Sequence, residues 1–466
     1  MLIQRFLYSF SNKNKMVVEI YTLGGYNEVG KNCTAIKVDD EIIICDLGIH
    51  LESYINYTQD EDILDISASR LTEVGAIPDL ASIKDLRNKV KAIIPTHAHL
   101  DHIGAIPFLA GKFHDTPILG TPYTTAVIKA ILKDEKMKIP NEIKTLSPNS
   151  KYKVSDKINV EFINMTHSTP QTVMVAIHTK YGTILYANDF KFDSTPTLGK
   201  KPNFKRLKEI GEKGIFALIC DSTYAPLRAK TPSESVAKAM LREVLIGTES
   251  TGKLVAVTTF SSHLARLKSI VEFGKLMNRK IIMMGRSLSK YIHAGQDIKI
   301  INFEKSAKIL RYRKQISGKL KEINKNRGKY LLVVTGHQGE PKAVLSRISR
   351  KEYDFEFKPE DQVVFSSSVI PTEINKENRE KLENALKNQG ARIFRDVHVS
   401  GHAAREDLRD LINMVKPRFL IPAHGEPHMK EALADLANEM GYKAENVFLS
   451  ENGQKLTLKT KNNINR

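Results

Sequence analysis

Apolar residues run along this chain of 466 residues in two textures. From Met16 to about residue 225 they come as short β-branched runs broken by Gly, Asn and Asp. "VVEIYTLGG", "CTAIKVDDEIIICDLG", "VKAIIPTH", "NVEFINMTHS", "TVMVAIHTKYGTILYANDF" and "GIFALICDST" each read as strands or strand pairs. Asp39-Asp40 and Tyr181-Gly182 are the turn signals within two of these pairs.

From about residue 226 the period changes. "KLVAVTTF", "KIIMMG", "YLLVVTG" and "QVVFSSSV" are buried-strand runs, each followed by a helical pattern: "SSHLARLKSIVEFGKLMN", "RSLSKYIHAGQ", "PKAVLSRISR" and "INKENREKLENALKNQG", the last closed by Gly390. Strand and helix in alternation predict a parallel sheet covered by helices. After "ARIFRDVHVSGHA" come a helix, "REDLRDLINMVK", a strand, "RFLIPAHGE", and a return to β texture in "NVFLSENGQKLTLKT". The expected organisation is an extension at 1–15, a first domain opening at 16–225, an inserted α/β domain at 226–399, and completion of the first domain at 400–466.

Composition narrows the class. No apolar run approaches the ~20 residues of a membrane helix. "MLIQRFLYSFSNKNK" lacks the h-region and cleavage site of a signal peptide and reads as an extension, with Met16 as an alternative start. Cys33, Cys45 and Cys220 form no C-x-x-C pair, which fits a cytoplasmic protein without disulfides. The net charge of +18 is concentrated: residues 226–399 hold 34 Lys+Arg against 18 Asp+Glu. Within them, 299–329 has eleven basic and two acidic residues. Such a surface attracts a polyanion, although a lysine-rich solvated face is an equally good account of charge alone.

The chemistry gathers in "PTHAHLDHIGAIP", residues 95–107, which places His97, His99, Asp101 and His102 within six of the chain's residues. Residues two apart in an extended segment point the same way, so His97 and His99 can serve one metal ion. Asp101 and His102 open a helix and can serve another. An N/O donor set suits Zn²⁺ or Mn²⁺. Further ligands are then expected at strand ends: His167 in "NMTHS", Asp189 in "YANDF" and His424 in "IPAHGE". Asp46, in "IICDLG", is placed to orient a ligand from behind.

H-x-H-x-D-H with a strand-end His, a strand-end Asp and a late His resembles the metallo-β-lactamase superfamily. The resemblance implies an αββα sandwich with two zinc ions per subunit at one edge. His97, His99 and His167 would hold one, Asp101, His102 and His424 the other, with Asp189 bridging. The basic insert between Asp189 and His424, with Asp221 in "LICDSTYA", His402 in "HVSGHA" and His424 in "PAHGE", resembles the β-CASP branch, whose members process nucleic acids. "TGHQGEPKAVLSRIS", "SSSVIP", "VHVSGHA" and "KPRFLIPAHGE" resemble the ribonuclease J family over nearly all of the chain after Met16. Bacterial members carry a further C-terminal domain, whereas this chain ends 42 residues after His424, which looks archaeal. Tyr224 stands where many relatives have Asn.

The resemblance implies a zinc-dependent ribonuclease acting on single-stranded RNA. It would be mainly a 5′→3′ exonuclease preferring 5′-monophosphate ends, working in RNA processing and decay, and homodimeric. Asp101 would take a proton from the nucleophile. His402, oriented by Asp221, would protonate the departing 3′ oxygen. His398, Val399, Ser400, Gly401 and His402 would form a phosphate pocket ahead of a helix N-terminus. Ser261, Ser262 and His263, in "FSSHLAR", are a weaker second phosphate site, or an ordinary helix cap. The basic insert would wall an RNA channel. Three other readings compete: an endoribonuclease of the cleavage-and-polyadenylation type, a thioesterase- or lactonase-like hydrolase, and an inactive RNA-binding subunit. The absence of KH modules weighs against the first. The insert and the "HVSGH" pocket weigh against the second, and the full ligand set against the third.

Overall fold

A computed structural model describes residues 17–58, 66–370 and 372–459. The extension read at 1–15 and the alternative start at Met16 lie outside the described residues.

Two sheets face each other. The first has seven strands in the spatial order Gln454–Lys459, Val17–Gly24, Cys33–Val38, Glu41–Cys45, Val90–Ile94, Ile118–Gly120 and Ile143–Thr145. The second has six: Pro417–Ala423, Ile215–Asp221, Gly182–Ala187, Val173–Thr179, Asn159–Asn164 and Lys151–Lys153. Side chains alternate across a strand, and "EIIIC" shows the consequence. Ile43 and Cys45 enter the core between the sheets, whereas Ile42 and Ile44 enter the core under the outer helices. Ile184 and Tyr186 face inward while Leu185 and Ala187 face helices Phe204–Glu212, Arg405–Val415 and Pro427–Glu439. Both faces of both sheets are thus buried, which explains why these strands read as continuous apolar runs. Burial of each such side chain contributes about 1.5–3 kcal/mol. The four layers are the αββα sandwich expected from the resemblance.

The Asp39-Asp40 turn falls where the sequence puts it: Val38 pairs with Glu41, and Asp39 takes a left-handed φ of 55°. The other turn sits one residue earlier than expected. Thr179 pairs with Gly182, so Lys180 and Tyr181 make the bend and Gly182, at φ +117°, is the first paired residue.

The third sheet is wholly parallel, in the order Ala307–Leu310, Lys280–Met284, Tyr330–Val334, Val255–Thr258, Gln362–Phe365 and Arg392–Phe394. Four of these strands were legible in the sequence. Ala307–Leu310 and Arg392–Phe394 are edge strands of four and three residues, and the helix Arg313–Lys325 lies inside the lysine-rich stretch read only for its charge. That stretch is therefore ordered structure, and part of its charge is spent internally. Arg311 donates to Asp134 at 2.8 Å, and Arg327 pairs with Asp361. Arg311 and Lys290 both meet Asp134, on helix Pro122–Asp134 of the sandwich, and so fasten the insert to it.

Candidate metal centre

One edge of the sandwich collects strand ends. Asp46 follows Glu41–Cys45, His97 follows Val90–Ile94, Asp189 follows Gly182–Ala187, Asp221 ends Ile215–Asp221, and His424 follows Pro417–Ala423. His167 lies just beyond Asn159–Asn164. Asp46, Asp189 and His424 all have left-handed backbones, with φ of 61°, 49° and 50°. For a residue with a Cβ this costs on the order of 1–3 kcal/mol. It is held by bonds such as Asp46 N–H to the Ile94 carbonyl (3.1 Å) and His424 N–H to the Gly25 carbonyl (2.6 Å).

Donor atoms of His97, His99, His167 and Asp189 lie within 4.8 Å of one another, as do those of Asp101, His102, Asp189 and His424. Asp189 belongs to both groups through different oxygens. Its Oδ2 is 3.5 Å from Nε2 of His97 and of His167; its Oδ1 is 3.2 Å from His102 Nε2 and 3.3 Å from His424 Nε2. Asp101 Oδ2 approaches His102 Nε2 at 3.4 Å.

The outward ring nitrogens decide what faces inward. A neutral imidazole carries one N–H. His102 Nδ1 donates to Asp46 Oδ2 (2.8 Å), His167 Nδ1 to the Gly401 carbonyl (2.7 Å) and His424 Nδ1 to Asn32 Oδ1 (2.8 Å). His97 Nδ1 meets Thr96 Oγ1 at 3.0 Å, and that hydroxyl donates onward to Asp46 Oδ1. His99 is reversed. Its Nε2 meets Ser262 Oγ at 3.0 Å, and its Nδ1 turns inward, 3.2 Å from His97 Nε2 and 3.1 Å from His167 Nε2.

With each ring neutral, the inward atoms are lone pairs and carboxylate oxygens; Asn32 Nδ2 also reaches His102 Nε2 (3.0 Å) and Ser168 Oγ reaches His167 Nε2 (3.2 Å). Among the described residues, the buried Asp189 Oδ1 finds no hydrogen-bond donor at all. A buried carboxylate oxygen without a donor, set among ring nitrogens that can turn lone pairs towards it, is costly unless a cation joins them, so the residues present fit a bound metal. Burial would raise the Asp189 pKa, but His102, His424 and His402 outweigh it and hold the carboxyl well below its usual range; against its own burial, Asp189, Asp46 and Asp101 in turn raise His102 well above 6.5, a pull on positive charge that a metal ion would answer. Burial, then repulsion from His97, pushes His99 down to about 3, which keeps its ring neutral as a ligand must be.

Beside these groups stands His402. Its Nδ1 donates to Asp221 Oδ2 at 2.8 Å, and its Nε2 lies 3.9 Å from Asp189 Oδ2. Asp221 is itself fixed, its Oδ1 accepting from the Thr223 N–H (2.8 Å) and hydroxyl (2.7 Å). Burial opposes protonation of His402, but Asp221 and Asp189 overcome it and raise its pKa to about 9. Tyr224, the departure noted in the sequence, stacks on the His402 ring at 5.7 Å and 18°.

The 398–402 segment is brought to the centre, but not in the way its sequence suggests. The Gly401 carbonyl holds His167. A Cβ on Gly401 would come within 2.8 Å of the His167 Cε1 and 2.9 Å of its Nδ1, so only glycine fits. Ser400 is tied down by Lys191 Nζ on its carbonyl (3.2 Å). His398 is half-buried; burial, then the adjacent Arg266, drives its pKa down to about 3. Val399 is buried. The helix N-terminus offered as an anion trap is already occupied by protein. Ala404 N–H goes to Thr231 Oγ1, Arg405 N–H to the Leu227 carbonyl and Glu406 N–H to the Ala229 carbonyl. His402 N–H goes to Ser400 Oγ. A phosphate bound here would use side chains and loop atoms, not the dipole end of Arg405–Val415.

The "FSSHLAR" residues also have other partners. Ser261 Oγ bonds Ser287 Oγ at 2.8 Å. His263 is buried, accepts from the Arg266 N–H and lies 3.3 Å from Glu234. The hydroxyl between them, Ser262, is the one that reaches the cluster. Sequence reasoning named Ser262 for phosphate rather than for His99, and it missed Asn32, Thr96, Thr223 and Lys191. Thr96 and Thr223 adjoin motif residues and were in view; Asn32 and Lys191 carry no local signal.

Comparison with known proteins bears on what this centre does. Family models match three stretches. They are the metallo-β-lactamase superfamily at residues 26–229, the ribonuclease J β-CASP domain at 252–386, and a Zn-dependent metallo-hydrolase RNA specificity domain at 391–449. Ribonuclease J of Pyrococcus abyssi is 43% identical over 441 residues, covering 94% of this chain and 96% of its own. Ribonuclease J of Methanocaldococcus jannaschii is 41% identical over 445 residues, covering 95% and 99%. Ribonuclease J 1 of Streptococcus pyogenes is 33% identical and is spanned over 74% of its length. A crystal structure of a protein of unknown function from Enterococcus faecalis V583 shares the fold at a TM-score of 0.65 and 16% identity, over 95% of this chain and all of that one. With two relatives more than 40% identical over nearly their full length, the chain belongs to the ribonuclease J family, a metal-dependent ribonuclease built as a metallo-β-lactamase domain with a β-CASP insertion.

Proposed function

We propose that this chain is a two-zinc ribonuclease that shortens single-stranded RNA from its 5′ end, preferring a 5′-monophosphate. The observation that carries the reading is the contact between the end-binding segment and a metal ligand: the Gly401 carbonyl that steadies His167 lies between Ser400 and His402. A terminal phosphate held by His398 and Ser400 would thereby be measured from the scissile bond.

His97, His99 and His167 would hold one ion, Asp101, His102 and His424 the other, and Asp189 would join both. When bound, such ions acidify water towards a pKa of ~7 and neutralise phosphate charge. The protein's own groups then divide the proton traffic. Asp101, the more exposed carboxylate of the set, accepts the proton of the attacking water at Oδ2. His402 delivers a proton from Nε2 to the departing 3′ oxygen, and the Asp221 carboxylate holds the ring in that orientation. In ribonuclease J relatives the name records the same reaction class.

The test uses RNA labelled at the 3′ end and carrying a 5′-monophosphate, 5′-triphosphate or 5′-hydroxyl, with His99→Ala as control. Stepwise shortening from the 5′ end, fastest on the monophosphate, is expected. Discrete internal cuts indifferent to the 5′ group would instead assign an endoribonuclease. No cleavage with zinc or manganese present would overturn both.

A further inference from the structure

We infer that Ser262, in the inserted domain, is a positioning residue for the metal centre: it orients the ligand His99 from across the domain boundary. The inference rests on the reading of His99 as a metal ligand.

The four other ligand histidines lean on the sandwich itself, through Thr96, Asp46, Gly401 and Asn32. His99 leans on the insert. Ser262 follows the strand Val255–Thr258 and precedes the helix Leu264–Leu276, and its hydroxyl sits 3.0 Å from His99 Nε2. With Nδ1 turned toward His97 and His167, the single N–H of a neutral His99 ring must lie on Nε2. Ser262 Oγ is the acceptor placed there. This fixes both the tautomer and the ring plane, as partners behind metal ligands do.

Ser262 is itself buried, and its helix is anchored rather than free. Arg266, one turn on, is fully buried and grips Glu234 with two bonds (2.6 and 2.8 Å). It also reaches the Ser366 hydroxyl (2.8 Å) and the Val397 carbonyl (3.2 Å). Glu234 and Val397 lie on the two chain crossings between sandwich and insert. The position of the Ser262 hydroxyl thus reports how the insert is seated. A shift of the insert by an ångström would break the bond to His99. By reciprocity, metal binding favours the seated arrangement.

The experiment measures zinc affinity by competition with a chromophoric chelator, and the visible spectrum of the cobalt-loaded protein. Ser262→Thr and Ser262→Val form the deciding pair, since they match in volume and differ in the hydroxyl; Ser262→Ala and Ser261→Ala complete the set. Loss of an orienting partner lowers metal affinity by about 10-fold to 100-fold. We expect Ser262→Val and Ser262→Ala to weaken zinc by at least about 10-fold and to alter the cobalt spectrum. Ser262→Thr should restore both, and Ser261→Ala should change neither. Equal affinities and spectra for the Thr and Val variants would overturn the proposal. Wild type that binds no zinc or cobalt would instead overturn the metal reading beneath it.

Discussion

Asp221 Oδ2 receives the Nδ1–H of His402 at 2.8 Å, across 181 residues of sequence. The bond leaves Nε2 facing Asp189 and the ligand clusters, where a departing oxygen would lie. On the proposal that His402 is the general acid, its removal costs about 10²–10⁴ in rate. His402→Ala is therefore expected to lower kcat by that order with a smaller change in KM. Asp221→Asn keeps a hydrogen-bonding group but removes the charge, and should lose less. Both should retain full zinc content, since neither side chain is assigned as a ligand. Kinetics on one RNA, with metal analysis of the same samples, checks the assignment; loss of zinc in either variant would make these residues ligands instead.

Removal of metal should cost stability as well as activity. The partnerless Asp189 Oδ1, set among ligand nitrogens, is costly to bury without a cation beside it. A ligand that binds only the folded state at 100 times its Kd adds about 2.7 kcal/mol per site. Chelation should abolish cleavage and lower the melting temperature, and zinc should restore both. An unchanged melting temperature after complete removal, verified by metal analysis, would contradict the electrostatic account.

Gly401→Ala tests the close approach of backbone to ligand. The added methyl would lie 2.8 Å from His167 Cε1 and 2.9 Å from Ser168 Oγ, too near for either to stay. Overpacking of this kind typically costs about 1–3 kcal/mol. The larger effect is expected at the centre, because His167 must turn away from the other ligands. Zinc affinity and RNA cleavage should fall together, by more than tenfold in rate, while circular dichroism shows a folded protein.

Much of this was legible beforehand, and the reasons differ by element. His97, His99, Asp101 and His102 sit in one short stretch, so their convergence is nearly local. The remote ligands were readable because each ends an apolar strand, and strand ends share an edge. What sequence could not show was the support. Asn32 is an ordinary loop residue until folding brings it to His424, 392 positions away. Ser262 looked like part of a helix cap and proved to belong to His99. The helix Arg313–Lys325 was hidden because only Ile316, Leu320 and Ile323 enter the core, on an otherwise charged surface. The anion trap at Arg405–Val415 failed for a tertiary reason: the loop at 227–231 supplies acceptors to its N–H groups.

The charge of the insert bears on RNA affinity. Lys305, Lys308, Lys314 and Lys325 remain exposed, whereas Arg266, Arg327 and Arg379 are buried in ion pairs. If the exposed lysines contact RNA, each contact adds about 0.7 to the slope of log K against log salt for a single strand. Replacing Lys308, Lys314 and Lys325 by Gln should then reduce that slope by about 2. Binding measured from 50 to 200 mM salt, on His402→Ala protein so that cleavage is slow, reads it. An unchanged slope would place the RNA path away from this stretch.

Acid should loosen the seating of the insert through Glu234 and His263. Burial raises the Glu234 pKa, but His263 and Arg266 more than reverse this and hold it well below the usual carboxylate range near 4.5. Its pairing therefore contributes stability above the unfolded pKa and loses it as pH falls through the depressed folded value. His263 is lowered from 6.5, chiefly by burial with a smaller push from Arg266 and Lys191, against an upward pull from Glu234. A neutral buried histidine also loses its advantage as pH falls, because below 6.5 the unfolded chain takes up the proton first. The two groups thus act in the same direction, His263 beginning near pH 6.5 and Glu234 below about 4.5. Denaturant titrations from pH 7 to pH 4 should show declining stability in wild type. Glu234→Gln removes the charge that balances Arg266, which costs about 3–5 kcal/mol for a buried pair. The variant should be less stable at pH 7, and its remaining acid sensitivity should be smaller below pH 5. A variant as stable as wild type at pH 7 would mean that the Glu234–Arg266 pair does not hold the two crossings together.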